Sequence, residues 1–130
     1  MGSEMCIRDR NVVEITNQFY EEIDGASASI EENRCLPQDL ADRMAKAGLF
    51  RLLVPTELGG GQVHPLEFFE SLVTASKADG STGWNLMIGN TTSLLSASLP
   101  ETWADEIYGQ HPDVITVGVT APIGLSLIHI

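Results

Sequence analysis

The sequence predicts an all-α domain followed by a single β-strand, and three observations lead there. Apolar residues recur every three or four positions from Val12 to about Ile107, the period of helices buried on one face. Pro37, Pro65 and Pro100 open three of these runs, and Gly48 and Gly109 close two of them, as helix punctuation does. The character then changes at Asp113, where DVITVGVT has the β-branched spacing of a strand.

Val12 to Asn33 reads as one helix. Ile15, Phe19, Ile23, Ala26 and Ile30 line its inner face, and a bend is expected near Gly25. Its acidic residues Glu21, Glu22, Glu31 and Glu32 should face water. Pro37 to Ala47 is a second helix, with Asp39 in its first turn and Lys46 in its last, both favourable to the helix dipole. Leu40, Met44 and Ala47 form its stripe, and Gly48 supplies the left-handed stop. Leu49 to Val54 is a short apolar stretch that must dock into the core, and Pro55 to Gln62 is a loop.

A third helix runs from Pro65 to about Ala78, with Leu66, Phe69, Leu72, Val73 and Ser76 inward. Ser81 or Thr82 is expected to cap a fourth, reaching about Ser98. Its stripe is Trp84, Met87, Ile88, Leu94, Leu95 and Ser98, and its small residues permit close approach of a helix or a planar ligand. A short fifth helix places Trp103 and Ile107 one turn apart. The strand at 113–120 has no partner in this sequence and cannot form a sheet alone. It is therefore expected to begin a second, absent domain.

Composition narrows the functional classes. The 130 residues carry 18 acidic and 7 basic side chains, a net charge of -11, and are 43% hydrophobic. That suits a soluble domain with a real core and argues against nucleic acid as a partner, because no cluster of Lys or Arg could follow a phosphate backbone. The greasiest region, Trp84 to Leu99, is broken by polar residues, so no membrane span is expected. Residues 1–10 lack the apolar run of a signal peptide, and a cytoplasmic location is the default.

Both ends stand apart. MGSEMCIRDR and LSLIHI resemble the translated adapter read-through found at the ends of metagenomic gene fragments. Residues 1–10 and 125–130 are accordingly expected to be artefactual or frayed, and Cys6 and His129 are set aside. The remaining organisation is a helical domain over 11–112 and the start of a truncated β domain over 113–124.

No residue stands out as catalytic. His64, His111, Cys35 and the carboxylates form no cluster with metal-ligand spacing. His64 precedes Pro65 and suits a helix start, whereas His111-Pro112 suits a turn. Cys35 reads as a part-buried structural thiol. Glu67 and Glu70 read as solvated rather than as an acid–base pair. The LGGGQ loop lacks both the GxxxxGK[ST] and the GxGxxG spacing, which leaves a connector or a mobile loop beside a ligand.

The order of three motifs is more specific. GLFRLLVPTELGGG (48–61), ADGSTGWNLMIGN (78–90) and VGVTAPIG (117–124) together resemble the amino-terminal part of the acyl-CoA dehydrogenase superfamily, especially its reduced-flavin aromatic hydroxylase branch. The resemblance implies a helical domain followed by a β middle domain and a carboxy-terminal bundle, with FAD, or alternatively FMN, bound by the full-length protein. It implies a homotetramer and an electron-transfer or flavin reductase partner. It places Trp84 and Thr92 at the substrate, acyl-CoA or aromatic, and Val119 and Thr120 at the flavin. Two positions depart from the pattern. Ala121 stands where dehydrogenases carry an acidic residue, and Thr92 stands where hydroxylases often carry a His.

The function expected first is oxidation of a CH–CH group with hydride transfer to flavin. The alternatives are a reduced-flavin aromatic monooxygenase and a non-catalytic helical interaction module. The module would present a sealed apolar surface, whereas the enzyme would leave an apolar face on the fourth helix. Trp84 itself is either a core residue at helical spacing or a contact to substrate and cofactor.

Overall fold

A computed structural model of the chain describes residues 11–118, and among these all regular structure is helical. The α-helices are α1 (Val12–Gln18), α2 (Tyr20–Asn33), α3 (Gln38–Lys46), α4 (Pro65–Ala78), α5 (Gly80–Ser93) and α6 (Glu101–Ala104). Tight turns follow at Thr56–Leu58 and Leu94–Ser98, and a wide π-type turn at Asp105–Gly109.

The expected first helix is two helices, and the break lies at Phe19 rather than at Gly25. Asn11 caps α1 by accepting from the Val13 and Glu14 amides at 3.0 and 3.3 Å. The buried Thr16 then turns its hydroxyl back to donate to the Val12 carbonyl at 2.8 Å, a contact that bends helices. The Phe19 amide reaches the Thr16 carbonyl three residues back, at 3.0 Å, which tightens the last turn. Gly25 lies within a regular helix with open space where a Cβ would be.

The second helix forms as the sequence predicts, starting just after Pro37 and stopped by Gly48 at φ 86°. Its inward residues Leu40 and Met44 join Ile23, Leu49 and Leu86 in the main core. A smaller cluster of Val12, Leu52 and Phe68 lies beside it. On the outer side Arg43 pairs with Glu22, linking α3 to α2, and reaches Asp39 at 3.3 Å. The Arg43 guanidinium holds the Glu22 carboxyl below the usual carboxylate range.

Helix α4 is the hub, packed against α1, α2 and α5. Its buried residues are Phe68, Ser71, Ala75 and Ala78. The face expected to be inward is largely outward: Leu66, Phe69 and Val73 are more than half exposed, Ser76 is exposed, and Leu72 is partly buried. The side carrying small residues is buried because it lets neighbouring helices come closer.

Among the described residues 113–118 the expected strand is absent: they are irregular and begin with a turn in which the Val114 amide bonds to the His111 carbonyl at 3.1 Å. β-Branched spacing expresses a propensity, and a strand also requires a neighbouring strand to bond. The described residues contain none. The correct fold class for them is all-α without a β element. Residues 1–10 and 119–130, including both unusual ends, lie outside the described residues.

Asn90, fully buried on α5, ties that helix to the chain after α3. Its Nδ2 donates to the Leu49 and Leu86 carbonyls at 2.8 and 2.9 Å, and its Oδ1 accepts from the Leu52 amide at 2.8 Å. Asn90→Leu removes these partners while keeping the bulk, and should destabilise the chain by about 2–4 kcal/mol in urea denaturation, because buried backbone groups are left unpaired. Glu22 should act only above the acidic range. A depressed carboxyl pKa stabilises the fold above the unfolded value of about 4.3, and that stability is lost as pH falls through the lower folded value. Glu22→Gln should therefore melt slightly below the parent at pH 7 and together with it at pH 3.

Candidate functional site

Helix α5 carries the motif with the most specific resemblance, and Asp79 starts it. The extended Asp79 accepts from the Thr82 amide at 2.9 Å and the Thr82 hydroxyl at 3.0 Å, so the cap is Asp79, a few residues before the expected Ser81 or Thr82. Gly80, Gly83 and Gly89 weaken the helix by about 1 kcal/mol each relative to Ala. Two of them serve close packing. A Cβ on Gly83 would lie 1.9 Å from the Ser76 hydroxyl of α4, and one on Gly89 would lie 2.8 Å from the Phe50 ring.

Small residues thus form the inner side of α5: Thr82, Gly83, Gly89, Asn90 and Ser93 are buried with Leu86. The large apolar residues point out. Trp84 is 63% exposed and Leu95 62%, with Met87 and Ile88 half-buried. Trp84, Met87 and Ile88 of the expected stripe therefore lie on the outer side of α5, whereas Leu94, Leu95 and Ser98 fall in the tight turn after it because the helix ends at Ser93, and Trp84 is not a core residue. No residue from 80 to 100 is charged.

Thr92 is partly buried at the margin of this face, and the backbone of Gly118 is seated against it. A Cβ on Gly118 would lie 2.9 Å from the Thr92 hydroxyl. One turn back, the Thr116 carbonyl lies 3.7 Å from the Cβ position of Gly89. The structure therefore brings residues 116–118 onto α5 beside Thr92. Val119 and Thr120 are the next two residues in the chain and lie outside the described residues.

The glycine loop is fixed by hydrogen bonds. The Gly61, Gln62 and Val63 amides donate to the Arg51, Val54 and Leu52 carbonyls at 3.0, 3.0 and 2.9 Å. A Cβ on Gly60 would lie 2.0 Å from the Val54 carbonyl oxygen, so only glycine fits. This is a closed strap rather than a flexible connector.

The remaining polar candidates are dispersed. His64 caps α4 through its ring, accepting from the Leu66 amide at 3.2 Å, while Glu67 accepts from the His64 amide at 3.3 Å. Glu70 and His111 are exposed. Cys35 is exposed rather than part-buried, beside a depression of about 310 Å³ that Arg34, Ser81 and Asn85 also line. Among the described residues no group of His, Cys, Asp and Glu could hold a metal ion, and no helix is long and apolar enough to cross a membrane.

Two buried polar residues were not singled out as candidates. One is Asn90. The other is Arg51, which is only 5% exposed and donates to the carbonyls of Leu58 at 2.7 Å, of Tyr108 at 2.9 Å, and of Pro112. Burial lowers its pKa, and the nearby Asp113 opposes that shift. The available signal was a charged residue inside the apolar stretch Leu49 to Val54.

Among the described residues the domain thus keeps an uncharged face around Trp84 in solvent and seats residues 116–118 at its margin. Residues 10–104 match the acyl-CoA dehydrogenase N-terminal domain, and the chain belongs to that family. It is 36% identical over 110 residues to an indole-3-acetate monooxygenase of Acinetobacter baumannii, covering 78% of this chain and 28% of the relative. It is 37% identical over 92 residues to an indole-3-acetate monooxygenase of Pseudomonas putida, covering 71% and 23%. It is 27% identical over 119 residues to the flavin-dependent monooxygenase oxygenase subunit HsaA of Mycobacterium tuberculosis, covering 92% and 30%. The chain thus spans less than a third of the length of these relatives. Their names favour the monooxygenase alternative over CH–CH dehydrogenation.

The exposure of Trp84 separates its two expected roles by stability. Trp84→Ala should change the unfolding free energy by no more than about 0.5 kcal/mol, as at other open surface positions. Gly89→Val, pressing on Phe50, should destabilise by about 1–3 kcal/mol in the same urea titration.

Proposed function

We propose that this chain forms the substrate-side helical domain of the oxygenase component of a flavin-dependent aromatic monooxygenase. The observation that carries the reading is the exposed, uncharged face of α5, with Gly118 seated at its margin against Thr92. An aromatic ring can stack on the Trp84 indole and gain from apolar burial. The Thr92 hydroxyl can donate to or accept from a ring substituent, although it cannot carry the charge of a histidine. Residues 80–100, which carry this face, contain no Lys or Arg to meet the phosphate groups of an acyl-CoA substrate.

The described residues bring the chain to Thr92, against which Gly118 is seated, and the next two residues are Val119 and Thr120. Val119 and Thr120 are assigned to hold FAD, or FMN, through backbone and hydroxyl donors, as the family resemblance implies. Reduced flavin supplies the electrons that activate oxygen for insertion of one atom into an aromatic ring. In this reading Trp84 orients the substrate ring, Thr92 fixes its rotation, and the apolar face excludes water around them. A flavin reductase partner and a homotetrameric assembly belong to the same reading. A self-contained interaction module would cover its large apolar residues, whereas Trp84, Leu94 and Leu95 are more than half exposed.

The test uses the full-length protein with reduced FAD or FMN, oxygen and indole-3-acetate or a simple phenol as probes. A product gaining one oxygen atom, seen by mass spectrometry only when reduced flavin is supplied, is expected. Trp84→Ala should raise KM for the aromatic probe about tenfold or more, the scale of one stacking contact with its buried area. Oxidation of acyl-CoA with an artificial electron acceptor, with no oxygenated product, would overturn the proposal.

A further inference from the structure

We propose that Arg51 is a positioning residue that holds the segment leading to the flavin contacts against α5. This rests on the monooxygenase reading for its purpose, but its geometry is independent of it. The guanidinium is buried and bonds to three backbone carbonyls from three stretches of chain: Leu58 in the glycine strap, Tyr108 in the π-type turn, and Pro112 in the turn that follows. No carboxylate is hydrogen-bonded to it among the described residues, and its Nε has no partner.

A buried cation arranged in this way adds little net stability over an apolar residue of similar size. What the planar fork contributes is direction, because it fixes several acceptors at set angles. Gly118 follows Pro112 by only six positions, so fixing the first restricts the second to within about 20 Å. Tyr108 provides a second strut. Its carbonyl is held by Arg51, and its hydroxyl lies 3.4 Å from the Thr116 hydroxyl. Thr116 then meets Gly89, and Gly118 meets Thr92. Arg51 therefore acts on the site through the backbone of 108–118, without touching α5's outer face. The glycine strap supplies the third anchor, so the guanidinium links the strap to the segment.

The experiment compares full-length Arg51→Met, Arg51→Lys and Leu40→Ala. Leu40 is a core residue of α3 whose apolar side chain makes none of these hydrogen bonds, and it serves as the control for general destabilisation. Three quantities are read: melting temperature, amide hydrogen exchange in 108–118, and the Kd for reduced FAD or FMN, titrated anaerobically. Arg51→Met should speed exchange in 108–118 and raise the flavin Kd, each by about tenfold or more, the scale of one charge-assisted hydrogen bond. Arg51→Lys should restore only part of both, because an ammonium lacks the fork geometry. If Arg51→Met does not fold, the Lys variant carries the comparison. Leu40→Ala should lower the melting temperature by opening a core cavity and leave the flavin Kd within about twofold of the parent, because its side chain holds none of the carbonyls of 108–112.

Unchanged exchange and flavin affinity in the Arg51 variants would overturn the proposal, as would an equal loss of affinity in Leu40→Ala. A parent that binds neither flavin would refute the monooxygenase reading instead, and the exchange comparison alone would then decide whether Arg51 holds the segment.

Discussion

The outward face of α5 depends on the buried amide of Asn90. A helix whose inner side is made of glycine, serine and threonine has little apolar area to anchor it or to fix its rotation. Asn90 supplies that fixity through direction rather than area. It engages one amide and one carbonyl of the 49–52 stretch and one carbonyl of its own helix, so both donors and the acceptor are used. Rotating α5 by one residue would break the two contacts to Leu49 and Leu52 in a water-free setting, where an unpaired polar group is expensive. The exposure of Trp84 follows from that lock.

The 49–54 stretch joins the two parts of the molecule. Leu49, Phe50, Leu52 and Val54 sink into the core, while Asn90 holds the backbone at Leu49 and Leu52. Arg51, within the same stretch, faces the glycine strap and the turns at 108 and 112. One short irregular segment thus sets the rotation of α5 on one side and the path of the departing chain on the other.

Much of the helical layout was legible because local signals and packing agree. Pro37 and Gly48 bound α3, Pro65 starts α4, and Ala78 ends it, each through backbone constraints that act within a few residues. The errors arose where tertiary contacts decide. Leu66, Phe69 and Val73 have the spacing of a buried stripe, yet the closer approach available along Ser71, Ala75 and Ala78 took the inner position. The break at Phe19 depends on a hydroxyl of Thr16 turning to its own helix, and the strand after Asp113 required a neighbour that propensity cannot supply. At the candidate site, periodicity identified Trp84 and its stripe, but not which way they face. Arg51 and Asn90 were visible as polar residues in apolar or small surroundings, although four of their six partners lie 38 to 61 positions away along the chain.

The seat of Gly60 against the Val54 carbonyl has a genetic consequence. Every single-base missense change in a glycine codon introduces a residue with a Cβ, and at this position that atom would overlap backbone rather than a movable side chain. The strap therefore has no neutral neighbours in sequence space at this residue. Substitution around the loop is least constrained at Glu57, whose side chain is exposed, because Gln62 accepts from the Thr56 amide and hydroxyl and itself sits at positive φ.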